Sequence, residues 1–190
     1  MKLFLVRHGQ TGWNKNGILQ GRTDVPLNDE GIRQAIKLAE LLQNEKIDFI
    51  FSSPLIRAKL TAEIIAKKHK LEIIEDRRLK EIDLGEWEGQ KTEEVLKDPK
   101  RELWAKYELN SETPGGESIG EVEKRVFEFL DEIFSKYSEK NILIVGHQLV
   151  NAVIKRRLIG KPQDFLKNFM DKNAQISKFE RRDKKFSLIS

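Results

Sequence analysis

Two histidines carry the chemistry open to this chain. His8 follows Arg7 at the end of the apolar run Leu3-Phe4-Leu5-Val6, and His147 follows Gly146 at the end of Asn141 to Val145. The chain has 3 histidines, and these two come directly after its clearest strand-like segments. Arg7 places a permanent cation at the first junction, and Arg57 places another in the first turn of a helix expected after Pro54. Guanidinium forks grip the oxygens of a phosphoryl group bidentately. A neutral imidazole is also a nucleophile, able to accept that group and split one hard step into two. The leaving oxygen then needs a proton, and Glu81, in the loop near Gly85, is the acid best placed to give it. There is no His-Glu-x-x-His pair and no aspartate-rich calcium loop, so no metal is expected. Cationic side chains would then supply the charge stabilisation.

The elements that must position these groups follow from periodicity. Leu3 to Val6, Ile47 to Phe51, Leu71 to Ile74 and Asn141 to Val145 read as short strands, and Ala174 to Glu180 and Lys185 to Ile189 as two more. Asn28 is a candidate helix cap, with Ile32, Ala35, Ile36, Ala39 and Leu42 as the apolar face of the helix it opens. Ser53 and Pro54 are expected to start a second helix, with Leu60, Ile64 and Ile65 as its buried stripe. Ser118 with Glu121 forms a capping-box signature for a long helix carrying Ile119, Val122, Val126, Phe129, Ile133 and Phe134 inward. A last helix runs from about Leu149 to Ile159. Strands alternating with helices predict an α/β fold, a three-layer α/β/α sandwich with a mostly parallel central sheet. In such sheets ligands sit outside the carboxyl ends of the strands, where Arg7-His8, Arg57 and His147 all fall. Gly9 would let backbone approach the ligand. Asp76 to Asn110 has weak periodicity and no clear element assignment.

Length and composition bound the alternatives. At 190 residues the chain is expected to be one domain, residues 1–190, with a core that needs no staples. The absence of cysteine excludes disulfides and fits a reducing, cytoplasmic setting. The apolar run before Arg7 is too short for a signal peptide or a membrane span. The 35 basic residues are offset by 31 interspersed acidic ones, so neither nucleic acid nor membrane is an expected partner. Lys155-Arg156-Arg157, Arg181-Arg182 and His69 read as solvated faces, and Trp13 and Trp87 as packing residues. A homodimer is left open.

Arg7-His8-Gly9-Gln10-Thr11 with Trp13-Asn14 resembles the signature of the phosphoglycerate mutase-like histidine phosphatases. Gln20-Gly21 with Asp24, Ser52-Ser53-Pro54-Leu55 with Arg57-Ala58, the stretch Leu79 to Gly89 around Glu81, Pro114-Gly115-Gly116 and the strand ending in His147 follow in the family's order. The resemblance implies that His8 becomes a phosphohistidine and that Glu81 serves as acid and then base. It implies that Arg7, Arg57 and His147 hold the phosphoryl oxygens, with Asn14, Gln20, Gly21 and Gln148 around the substrate. Gln148 departs from the small residue members often carry there, which bears on pocket shape. The implied activity is a metal-independent phosphatase, without a cofactor, acting on a small phosphomonoester. The alternatives are a phosphoglycerate mutase, for which Lys97, Lys100, Arg101 and Lys106 could form a second cation site, and a non-catalytic phospho-ligand module.

Overall fold

Leu3, Phe4, Leu5 and Val6 are all fully buried, and alternate residues serve different layers. Side chains on a strand point to opposite faces in turn, so Leu3 and Leu5 enter one apolar cluster while Phe4 and Val6 enter another. The computed structural model describes residues 1–99, 101, 104, 108–162, 166, 168–183 and 185–189. This first strand, β1 (Lys2–Arg7), is followed by α1 (Gly12–Lys15), α2 (Asp29–Leu42), β2 (Phe49–Ser52), α3 (Ile56–His69) and β3 (Ile73–Glu75). Then come α4 (Thr92–Val95), α5 (Ile119–Lys136), β4 (Ile142–Gly146), α6 (Gln148–Ile159), β5 (Ile176–Arg182) and β6 (Lys185–Leu188). Lys100 and Lys106, read above as cation candidates, lie outside the described residues.

The six strands form one sheet in the order β3-β2-β4-β1-β5-β6. The first four are parallel, and β5 and β6 pair antiparallel at one edge. Ile142 and Ile144 of β4 join Leu3 and Leu5 on the face covered by α5 and α6, against Val126, Phe129 and Val153. Leu143 and Val145 join Phe4 and Val6 on the other face, against Leu38, Ala39, Ala58 and Ile65 of α2 and α3. The three-layer sandwich with a mostly parallel sheet is therefore what the chain adopts. Among the described residues, no helix is long and apolar enough to cross a membrane.

Side-chain caps open α1, α2 and α5. Asn28 accepts from the Gly31 N–H at 2.8 Å, and Ser118 and Glu121 make the reciprocal capping box at the start of α5. The start of α3 differs from expectation. Leu55 is its boundary residue, and the Ile56 N–H is met by the Asp24 carboxylate, 32 positions upstream, at 2.6 Å. Ser53 Oγ accepts from the Leu55 N–H at 3.3 Å, one residue before the helix begins.

Two helix faces are also rotated from the predicted ones. In α2 the buried residues are Gly31, Ala35, Leu38, Ala39 and Leu42, while Ile32 and Ile36 are exposed. In α3 the buried face is Arg57, Ala58, Thr61, Ala62, Ile65 and Ala66, with Leu60 and Ile64 only half-buried. Both helices turn small residues to the sheet because backbones pack closest there. Gly9 shows the same pressure: a Cβ on it would come within 2.4 Å of the Gly31 carbonyl oxygen, so its missing side chain lets the turn after β1 pack against the start of α2. His69, read as solvated, is half-buried at the end of α3.

Candidate active site

Sheet register brings the two histidines together. β1 pairs with β4 so that Arg7 lies opposite Gly146, and the residues that follow are His8 and His147. The His8 N–H donates to the Gly146 carbonyl at 3.1 Å, and the two imidazole centroids are 5.2 Å apart. β2 aligns Ser52 with Val145, which carries Ser53 alongside and sets its hydroxyl 2.8 Å from His147 Nε2. The hydroxyl expected to cap α3 accepts from Leu55 just ahead of that helix and also fixes the second histidine.

Each sequence-predicted residue can now be placed. His8 Nδ1 lies 2.7 Å from the Gly9 carbonyl oxygen. A carbonyl only accepts, so Nδ1 carries the proton and Nε2 keeps its lone pair. Burial and the nearby Arg57 and Arg7 guanidiniums hold the His8 imidazolium well below its ordinary range, and His147 is held down by burial, Arg57 and His8. Both rings are therefore neutral at pH 7. Arg57 is buried in α3, where its two terminal nitrogens donate to the Gly21 and Thr23 carbonyls at 2.6 and 2.8 Å. Burial pushes Arg57 down to about 10, and Arg7 is lowered for the same reason, each partly offset by Glu81. Arg7 Nη1 donates to the Asp171 carbonyl. The Nε atoms of both arginines are buried without a hydrogen-bond partner.

Glu81 reaches the amino end of α6. Its carboxylate accepts from the Leu149 and Val150 N–H groups at 3.3 and 3.4 Å and from its own neighbour Ile82 at 3.1 Å. Those first-turn amides have no partner within the helix, so the helix start holds the acid in place. Arg7, His8, Arg57, Glu81, Asn14, Gln20, Gly21 and Gln148 all line one cavity of about 310 Å³. His147 is the exception among the candidates. Its ring is fully buried and takes no part in the cavity wall, because it is drawn to Ser53 and covered by the turn into α6.

A sequence model of the histidine phosphatase superfamily, branch 1, matches residues 3–190. This chain belongs to that superfamily. The match makes it a phosphatase-type enzyme, as the resemblance implied. Phosphoserine phosphatase 1 of Hydrogenobacter thermophilus is 36% identical over 179 residues, covering 93% of this chain and 85% of that relative. A probable phosphoglycerate mutase of Yersinia pestis is 32% identical over 184 residues, covering 95% and 85%. The crystal structure of the α-ribazole phosphatase from Shigella flexneri superposes with a TM-score of 0.90 at 30% identity, covering 100% of this chain and 95% of that one.

Several residues that shape the site of this histidine phosphatase were not singled out by sequence. Asp171 and Asn173, in the turn before β5, close the side next to His8: the Asp171 carbonyl accepts from Arg7 and Gln148, and the Asn173 amide donates to the His8 carbonyl and to Asn14 Oδ1. The Asp171 carboxylate is buried against Lys155 of α6 in an ion pair. Lys155 therefore belongs to the interior, contrary to its reading as a solvated face. The Lys155-Arg156-Arg157 run is split by helical geometry, with Arg156 pairing with Glu123 and Arg157 with Asp131. Glu88 holds the 21–23 turn by accepting from the Arg22 and Thr23 N–H groups, and that turn in turn holds Arg57. A Cβ on Gly21 would lie 2.1 Å from the Glu88 carboxylate, and its φ of +48° suits glycine. The Glu81 carbonyl accepts from Arg22 and Arg125. Of these, only Lys155 carried a readable sequence signal, an ionisable residue in a helix directly after the apolar Val153-Ile154.

Proposed function

We propose that this enzyme hydrolyses a small phosphomonoester, without a metal ion, through a phosphohistidine on His8, in the cytoplasm. The observation that carries the reading is His8 itself: buried, neutral and protonated on Nδ1, its Nε2 shares one cavity with two guanidiniums and a carboxylic acid. In the first step Nε2 forms a bond to phosphorus as the P–O ester bond breaks, and Glu81 gives its proton to the departing oxygen. In the second, water attacks the phosphohistidine, the Glu81 carboxylate takes a proton from it, and Nε2 leaves with its lone pair. Arg7 and Arg57 neutralise the equatorial oxygens in both steps. The resemblance also assigns His147 to the phosphoryl group; its ring, 5.2 Å from that of His8 and turned to Ser53, stands behind the cavity wall, so in this reading it supports His8 rather than touching the phosphoryl oxygens. Residues 1–190 act in this reading as one domain.

Hydrolysis of an aryl phosphate should persist in EDTA and be inhibited by vanadate. Glu81→Gln should lower kcat by roughly 10²–10⁴-fold, the usual range for general acid–base catalysis, with the loss smallest for esters of acidic phenols that need no proton. Equal losses for acidic and basic leaving groups would remove Glu81 from the acid role. Conversion of 3- to 2-phosphoglycerate faster than phosphate release would favour the mutase, and binding of esters without turnover the non-catalytic module.

A further inference from the structure

The cavity extends well past the groups that would hold a phosphoryl moiety, and its character changes there. Leu19, Leu84, Trp87, Val95, Trp104 and Met170 supply much of the rest of its described wall, with Thr92 and Arg101 among them. Trp87 is fixed by donating from its indole N–H to the Asp98 carboxylate at 2.8 Å, and it meets the Trp104 ring edge-on with centroids 6.1 Å apart. Among the described lining residues Glu81 is the one carboxylate, and Arg101, whose guanidinium lies 5.1 Å from the Trp104 centroid, is the one charged group of that part.

We infer that the alcohol portion of the substrate is apolar and carries a ring. This rests on the phosphatase reading of the inner end and adds the substrate class to it. An ammonium group in that part of the cavity would meet no carboxylate among the described lining residues other than Glu81, and losing water unpaired is costly for any charge. An amino acid phosphoester is therefore a poor fit. The volume is sufficient: an apolar cavity of about 150 Å³ accommodates benzene, so roughly half of the present space would take one ring. The two indoles at right angles offer it an edge and a face, the arrangement aromatic groups prefer.

Benzyl phosphate tests this against phosphoserine and 3-phosphoglycerate, since all three leave as poorly acidic alcohols and differ mainly in what the chamber must hold. The kcat/KM for benzyl phosphate should exceed the other two by about tenfold or more, on the scale of one buried ring. Calorimetry with benzylphosphonate, which cannot be hydrolysed, reads the chamber independently of turnover. Trp104→Ala should weaken its binding about tenfold and leave the inhibition constant of vanadate unmoved. Met170→Glu should weaken it as well and shift preference toward phosphoserine. A preference of the wild type for phosphoserine or 3-phosphoglycerate, or benzylphosphonate binding indifferent to Trp104, would overturn the inference. Tight, Trp104-dependent phosphonate binding by a protein that turns over no ester would uphold the chamber and sink the phosphatase mechanism instead.

Discussion

His8→Ala should bring phosphomonoester turnover down on the order of 10⁴–10⁶-fold, the loss that follows removal of a covalent nucleophile when binding and electrostatic groups remain. The expectation rests on Nε2 alone: Nδ1 is committed to the Gly9 carbonyl, and His147, the neighbouring imidazole, is turned to Ser53 and buried. His8→Asn, which retains a polar group near Gly9, controls for damage to the fold and should be equally inactive. Rapid quenching with ³²P-labelled substrate should trap an acid-labile, base-stable phosphoenzyme in the wild type and none in either variant. Full activity in both would end the mechanism.

The same ring sets the acid side of the pH profile. An ordinary imidazole is half protonated at 6.5, whereas burial, Arg57 and Arg7 hold His8 well below that value. The kcat/KM should therefore stay flat through pH 6 and fall only at lower pH, with a limb near 6.5 counting against His8 as nucleophile. Stability carries the matching sign. Below pH 6.5 the unfolded chain takes up protons on His8 and His147 that the folded chain refuses, so their contribution is present above 6.5 and lost as pH falls below it.

Lys155→Met should be the most destabilising single change away from the cavity. Lys155 and Asp171 are 6% and 1% exposed, and losing the ammonium leaves a carboxylate buried without its cation. Breaking such a pair costs about 3–5 kcal/mol, or about 10 °C in Tm for a chain of this size, as urea and thermal unfolding would measure. Lys155→Met with Asp171→Asn should recover a large part of that, because the uncompensated charge is gone. Burial already raises the Asp171 carboxyl, against the pull of Lys155 and Arg7. Without Lys155 the carboxyl rises further, so the deficit should shrink as pH is lowered and the folded state takes up the proton. The turn that carries Asp171 also anchors Arg7 and Gln148, so kcat/KM should fall in the single variant and return in the double one. A single variant as stable as the wild type would show that the pair contributes nothing to the fold.

Legibility in the sequence followed the range of the interaction concerned. The strands around Leu5 and Ile144 and the Ser118–Glu121 box could be read because burial alternation and capping act within a few residues. The face of α2 was misread at Ile32 and Ile36, since hydrophobicity marks them apolar while Gly31 and Leu38 are what fit against the sheet. Ser53 was assigned to a helix start that Asp24 fills from across the fold. The segment around Glu81 resisted reading because it is held by distant partners, Arg125 on its carbonyl and the first turn of α6 on its carboxylate.

By itself the sequence determined which groups would meet: Arg7-His8 and Gly146-His147 end two parallel strands, and any parallel sheet delivers strand ends to one edge. Tertiary structure alone decided how they meet. The register of β1 against β4, the hydroxyl of Ser53 and the carbonyl of Gly9 select which imidazole nitrogen keeps its lone pair, and Lys155 joins the interior because Asp171 arrives opposite it. The reason is physical: periodicity along a chain reports that a side chain is buried, whereas its protonation and its partner depend on atoms that come from elsewhere in the chain and are brought close only by folding.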